Sequence, residues 1–167
     1  MKFALSLMAI ALAAACGGSG GSTTSLSTST APIRVAWEPS NAIRDGLNFE
    51  RATLGVNAGP VTYDSRLGVA AQRHADDMYE NDLQRNISHT GTDDSTLRSR
   101  TADAGYNCNP CGENIGWNQA DEAAVLEAWM GSSGHRANNL NPDFEDFALA
   151  KAGRPGNQYW VLVLGRE

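Results

Sequence analysis

The sequence is short of positive charge and of cysteine, has no internal repeat, and contains only one long apolar run. Thirteen Lys and Arg stand against nineteen Asp and Glu, for a formal charge of −6. A surface of that sign argues against nucleic acid and against electrostatic docking on anionic lipid, but it leaves neutral lipids and cationic partners open. The apolar run, Phe3 to Ala15, is too short to span a bilayer as a stable helix, and no later run reaches that length. Three cysteines cannot build a four-cysteine metal site.

The N-terminal run is better read as an export signal. Lys2 supplies the positive start, and Leu12-Ala13-Ala14-Ala15-Cys16 places small residues ahead of a cysteine. This resembles a bacterial lipobox, with Ala13 where leucine is usual, and implies cleavage before Cys16 and a lipid on its sulfur. Residues 1–15 are then a signal peptide. From Gly17 to Ala31 the chain is Gly, Ser and Thr with one Leu, one Ala and no charge, a composition that cannot bury a core. Residues 16–38 therefore read as a lipid-anchored flexible linker, with an end-to-end distance of roughly 25 Å from Gly17 to Glu38. The expected location is the bacterial cell envelope, outside the cytoplasm, held to a membrane by Cys16. Residues 39–167 suit one domain with a single core, expected to be a monomer.

Cys108-Asn109-Pro110-Cys111 could be a redox pair, half a zinc site or a structural disulfide. A redox pair needs a strand-to-helix setting, and this one lies in a loop between Gly105 and Gly112. A zinc site would need further cysteines, which the chain lacks. Export favours oxidation, so a Cys108–Cys111 disulfide is expected. A bridge closing so short a loop should stabilise by only ~2 kcal/mol.

Periodicity predicts a helix over about Ser40–Leu54, with Ile43, Leu47 and Leu54 on one stripe. A second helix, capped by Asp64 or Ser65, carries Leu67, Ala71, His74 and Met78 on one face, and His74 there reads as a hydrogen-bonded core histidine. A short helix is expected from Asp93-Asp94-Ser95 to a C-cap at Gly105, and a strand over Asn114–Trp117. Asp121 should cap another helix to about Gly131, with Val125, Ala128, Trp129 and Ser132 facing inward. Phe147–Ala152 and Tyr159–Leu164 read as strands joined by a turn at Gly153-Arg154-Pro155-Gly156-Asn157. The unbroken apolar run Val161 to Leu164 predicts a central strand with both faces covered. The fold class is α+β.

The second half holds the polar residues of interest. It reads Ser88-His89-Thr90-Gly91, then Gly112-Glu113-Asn114-Ile115, then Trp129 through Asn138 with Gly134-His135-Arg136 inside it. With Asn48-Phe49-Glu50-Arg51, Leu67 through Met78 and the closing Tyr159 through Gly165, this ordered set resembles the bacterial branch of the CAP superfamily (cysteine-rich secretory, antigen 5, pathogenesis-related; SCP-like). The resemblance implies an α-β-α sandwich, a small antiparallel sheet between helices. It implies that Asn48 and Arg51 help fix the core. It also places His89, Glu113 and His135 in a shared cleft. Ser132 stands where many eukaryotic relatives carry a second glutamate, which removes a negative charge from the cleft.

Two imidazoles and a carboxylate can hold a divalent ion such as zinc, with His89 and His135 as ligands, or can act as acid and base without metal. Simpler roles exist for each. His135, following a helix, could meet the negative end of its dipole; His89 could serve its own loop; Glu113 could satisfy backbone donors. No catalytic residue is assigned. Gly131-Ser132-Ser133-Gly134-His135 misses the Gly-x-Ser-x-Gly frame of serine hydrolases. The leading expectation is an exported, lipid-anchored protein that binds a small lipid, another envelope ligand or a partner through the cleft. The alternative is a metal-dependent hydrolase acting on an envelope peptide or ester.

Overall fold

The computed structural model describes residues 41–54, 58–81 and 87–167. The expected signal peptide, the expected anchor at Cys16 and the expected linker lie outside the described residues. The elements run α1 (Asn41–Thr53), β1 (Thr62–Tyr63), α2 (Ser65–Glu80), α3 (Leu97–Asp103), β2 (Cys111–Trp117), α4 (Glu122–Met130), α5 (Ser133–Asn139), β3 (Asp146–Arg154) and β4 (Asn157–Gly165). Among the described residues no helix is long and apolar enough to cross a membrane.

The apolar run in β4 is the middle of the architecture. The sheet order is β1-β3-β4-β2, with β4 antiparallel to both β3 and β2. Side chains alternate across a strand, so β4 feeds two cores at once. Tyr159, Val161 and Val163 face a layer containing Leu67, Ala71, Ala75 and Met78 of α2, while Trp160, Leu162 and Leu164 face Ile43 and Leu47 of α1 and Val125 and Trp129 of α4. Each fully buried side chain of this size contributes roughly 1.5–3 kcal/mol. The result is the expected α-β-α sandwich. The sheet is mixed, not purely antiparallel, because β1 pairs in parallel with β3 through Thr62–Asp146 and Tyr63–Phe147. A two-residue strand carries no periodicity from which its direction could have been read.

Helix α2 forms as its pattern predicts: Asp64 caps it by accepting from the Arg66 amide, and Leu67, Ala71, His74 and Met78 are all buried. On α1 the inward stripe is Ile43, Leu47 and Arg51, and Leu54 is 41% exposed. Leu54 lies beyond the last helical residue, where the stripe no longer constrains it. Arg51 is fully buried and donates to the carbonyls of Gly59 (2.7 Å), Asn139 (2.9 Å), Asn141 (2.9 Å) and Phe144 (3.0 Å). Asn48 exchanges two bonds with the Val61 backbone, at 2.8 and 3.1 Å.

Three local expectations are corrected. Helix α3 starts later than Asp93, because Thr96 and Ser99 form a reciprocal capping box there, whereas Asp93 closes a turn onto the Ser95 amide. Strand β2 begins at Cys111, so Gly112 and Glu113 lie within the sheet; Gly112 pairs with Leu164 and Glu113 with Val163. Cys108 and Cys111 are joined by a disulfide at the start of this strand. Helix α4 ends as expected near Gly131, and only Val125 and Trp129 on it are buried. Ala128 is exposed. The chain then re-enters a second helix, α5, with Ser132 at its N-cap position.

Candidate functional site

Glu113 lies on β2, the edge strand of the sheet, on the face covered by α2 and α3. Its side chain is only 3% exposed, and both oxygens are taken. One accepts from Nη2 of Arg100 at 2.7 Å, and the other lies 2.8 Å from Nδ1 of His89. His74 of α2 approaches the same carboxylate to 4.0 Å without bonding it. A bonded ion pair buried this deeply is held by its geometry, since removing one partner would strand a charge away from water.

Arg100 is the residue that sequence reasoning did not select. It projects from α3, has a side chain 1% exposed, and also turns its Nη donors onto the loop that carries His89, while its buried Nε finds no partner. Nη1 donates to the Ser95 carbonyl at 3.0 Å, and Nη1 and Nη2 both reach the His89 carbonyl at 3.3 Å. A signal existed: Arg98 and Arg100 sit about 200° apart on a helix, so both cannot face water from a short helix lying on a core.

His74 fills the role its stripe suggested. Its Nε2 lies 2.8 Å from the Ser88 carbonyl, which can only accept, so Nε2 carries the proton. Burial pushes its pKa down, partly offset by the charge of Glu113, so the ring is held neutral. His89, in contrast, presents a side chain that is 58% exposed, and only its Nδ1 edge is tied to the buried carboxylate.

His135 comes from the other layer. It lies in the first turn of α5, not after the end of a helix, so a favourable meeting with a negative dipole end does not arise there. Its pKa is lowered first by burial and then by the charge of His89. A set of amide bonds fixes α5 on the edge strand. Asn114 donates to the His135 carbonyl (3.0 Å) and to Asn139 (2.8 Å), and Asn138 donates to Asn114 (2.9 Å) and to the Glu113 carbonyl (3.2 Å). Adjacent residues Glu113 and Asn114 thus anchor opposite layers. One holds the His89 loop and the other the His135 helix. Ser132 is half-buried and forms no side-chain capping bond.

Gly112 serves this site through close packing and not through a turn. A Cβ placed there would lie 2.8 Å from the Phe144 ring, so the strand touches that ring directly.

The donor set limits any metal. Glu113 has no free oxygen, which leaves His89 through Nε2 and His135 as the available protein ligands. Among the described residues, no group of three or more His, Cys, Asp or Glu side chains is arranged to hold an ion. Catalytic zinc centres use three protein ligands. Two imidazoles fall short of that number, so they do not fit a catalytic centre of that kind.

The chain can be compared with known proteins on this basis. The uncharacterized membrane protein YlbC of Bacillus subtilis (strain 168) is 33% identical over 102 residues, 61% of this chain and 28% of that protein. The uncharacterized protein YkwD of the same strain is 31% identical over 118 residues, 70% of this chain and 43% of that protein. The chain spans less than half the length of either curated relative. Among solved structures, an extracellular protein containing an SCP domain from Bacillus anthracis str. Ames superposes with a TM-score of 0.66 at 26% identity, covering 76% of this chain and 40% of that one. An outer surface protein of Borrelia burgdorferi shares the fold with a TM-score of 0.60 at 19% identity, covering 76% of this chain and 91% of that one. The model of the cysteine-rich secretory protein family matches residues 38–164, and the chain belongs to that family, the CAP family.

Proposed function

We propose that this CAP-domain protein acts outside the cytoplasm and binds a ligand or partner through the cleft between His89 and His135. The observation that carries the reading is the arrangement around Glu113. A buried ion pair orients one exposed imidazole, and the next residue on the same strand, Asn114, anchors the helix that carries a second. A fold does not require a half-exposed histidine to be oriented by a buried charge pair; a binding site does. Location outside the cytoplasm is supported by the likeness to an extracellular protein and an outer surface protein.

The ligand is an envelope component, for which a small lipid is the leading class. Untargeted mass spectrometry of material co-purifying with the full-length protein, run beside a His89→Ala/His135→Ala variant, tests this. A species enriched with the wild type and lost from the variant supports the reading. The same material in both preparations, or none in either, contradicts it. A metal-dependent hydrolase has less support, because among the described residues the available donors number two and no serine or cysteine side chain is bonded to either histidine.

Lipid anchoring through Cys16 belongs to the same proposal, motivated by the small residues before it and the uncharged tether after it. Cys16→Ser should release the protein from membranes or leave its signal uncleaved. Wild-type protein that takes up no labelled fatty acid contradicts the anchor.

A further inference from the structure

The geometry points to Arg100 as a positioning residue that sets the tautomer of His89 through Glu113, so that the cleft is offered a lone pair on Nε2. The inference deepens the binding reading given above, yet it concerns the unliganded protein and is tested without a ligand.

The argument follows the donors and acceptors. Arg100 has no acceptor, so whatever atom it faces must accept. It faces one oxygen of Glu113 at 2.7 Å and holds the His89 carbonyl at 3.3 Å, fixing both the carboxylate and the loop that brings the imidazole to it. The other carboxylate oxygen, also an acceptor, lies 2.8 Å from Nδ1 of His89. A neutral His89 must therefore carry its proton on Nδ1. Nε2 is left as an acceptor on the exposed part of the ring, since 58% of the side chain is open while the Nδ1 edge meets a buried group. The chemistry offered by this ring is that of a base or a metal ligand. It favours a hydroxyl, an N–H donor or a cation over an anionic group.

The same logic makes an unusual demand on Glu113→Gln. An amide has one acceptor and one donor end. Arg100 requires the oxygen end, so the NH₂ must turn toward His89. Nδ1 then has to accept, and the proton moves to Nε2. A change at Glu113 that is nearly isosteric should thus invert the tautomer, and it can do so only if Arg100 dictates which end of the amide faces it. In Glu113→Gln/Arg100→Gln the amide is free to turn and the inversion should disappear.

The experiment is ¹⁵N–¹H correlation of the imidazole nitrogens in the full-length protein at about pH 8.5, above the ordinary histidine range. Expected are a protonated Nδ1 and an unprotonated Nε2 in the wild type, the reverse in Glu113→Gln, and averaged signals in the double variant. Zinc ion alone serves as a second probe: Glu113→Gln should weaken its binding about tenfold or more, because Nε2 no longer has a lone pair. Arg100→Lys keeps an acceptor-free cation facing residue 113 and provides a comparison if the double variant does not fold: Glu113→Gln/Arg100→Lys should keep the inverted tautomer, because the lysine also requires the oxygen end of the amide. A protonated Nδ1 in Glu113→Gln, or loss of the inversion in Glu113→Gln/Arg100→Lys, overturns the inference. A wild-type signature as expected, with no co-purifying ligand, would leave the positioning role standing while the binding reading fails.

Discussion

The guanidinium of Arg51 on α1 donates to the carbonyl of Asn139 at 2.9 Å, across 88 positions of sequence. Asn139 is the last residue of α5, where helix carbonyls lack intrahelical partners. Arg51 supplies partners for it and for the turn that follows, at Asn141 and Phe144. The helix bearing His135 is therefore held at both ends, by Arg51 at its C-terminus and by Asn114 under its first turn.

Arg51→Met should destabilise the protein by about 3 kcal/mol or more, because several buried carbonyls lose their donors together. Urea unfolding followed by tryptophan fluorescence would measure it. A change within 0.5 kcal/mol, the ordinary range for surface substitutions, would mean that these bonds are dispensable.

Gly112→Ala should cost about 1–3 kcal/mol, since its Cβ would sit 2.8 Å from the Phe144 ring inside a packed strand. The companion change Gly112→Ala/Phe144→Leu should recover part of that loss by relieving the contact. No recovery in the double variant would place the strain elsewhere.

Stability should fall as pH drops through the imidazole range, and His74 should be one source. Its folded pKa lies below the ordinary value because of burial, so the unfolded chain binds more protons near pH 6.5. Stability from this group is present above that range and lost below it. His135 is shifted in the same direction and adds with the same sign. His74→Gln can keep a donor for the Ser88 carbonyl but cannot titrate, so its unfolding midpoint should fall less than the wild type's between about pH 7.5 and pH 5.5. Equal falls would remove His74 from the account.

Much of the fold was legible because its signals are local. The α2 stripe and the Asp64 cap stand in the sequence, and the run Val161 to Leu164 marks a strand covered on both faces. The start of α3 was misplaced because Asp93 and Thr96 are both good capping residues, and only the partner at Ser99 decides between them. α5 was missed because Ser133-Gly134-His135 has little helix propensity; its position is imposed by Asn114 and Arg51 from distant parts of the chain. The surroundings of Glu113 were legible in the same uneven way. His89, Glu113 and His135 stand out beside glycines and in a known frame. Arg100 looks like any helical cation until the sheet brings Glu113 beneath it.

Zinc should bind weakly, through both histidines. Calorimetry should show affinity falling as pH drops through the imidazole range, since each ligating ring must be neutral. Either single change, His89→Ala or His135→Ala, should abolish measurable binding. Ser132→Glu, at the start of the helix that carries His135, should tighten it. Zinc binding unchanged by either histidine deletion would show that the two rings do not share an ion.

The central claim is that His89 and His135, carried by different layers, form one site. It is tested most directly by following the His135 imidazole by NMR during a pH titration, in the wild type and in His89→Ala. In the wild type His135 should titrate below the ordinary histidine value, held down by burial and then by the charge of His89. With His89 removed its pKa should rise toward the ordinary value. A His135 titration that is the same in both proteins would contradict the claim that the two imidazoles face one cleft.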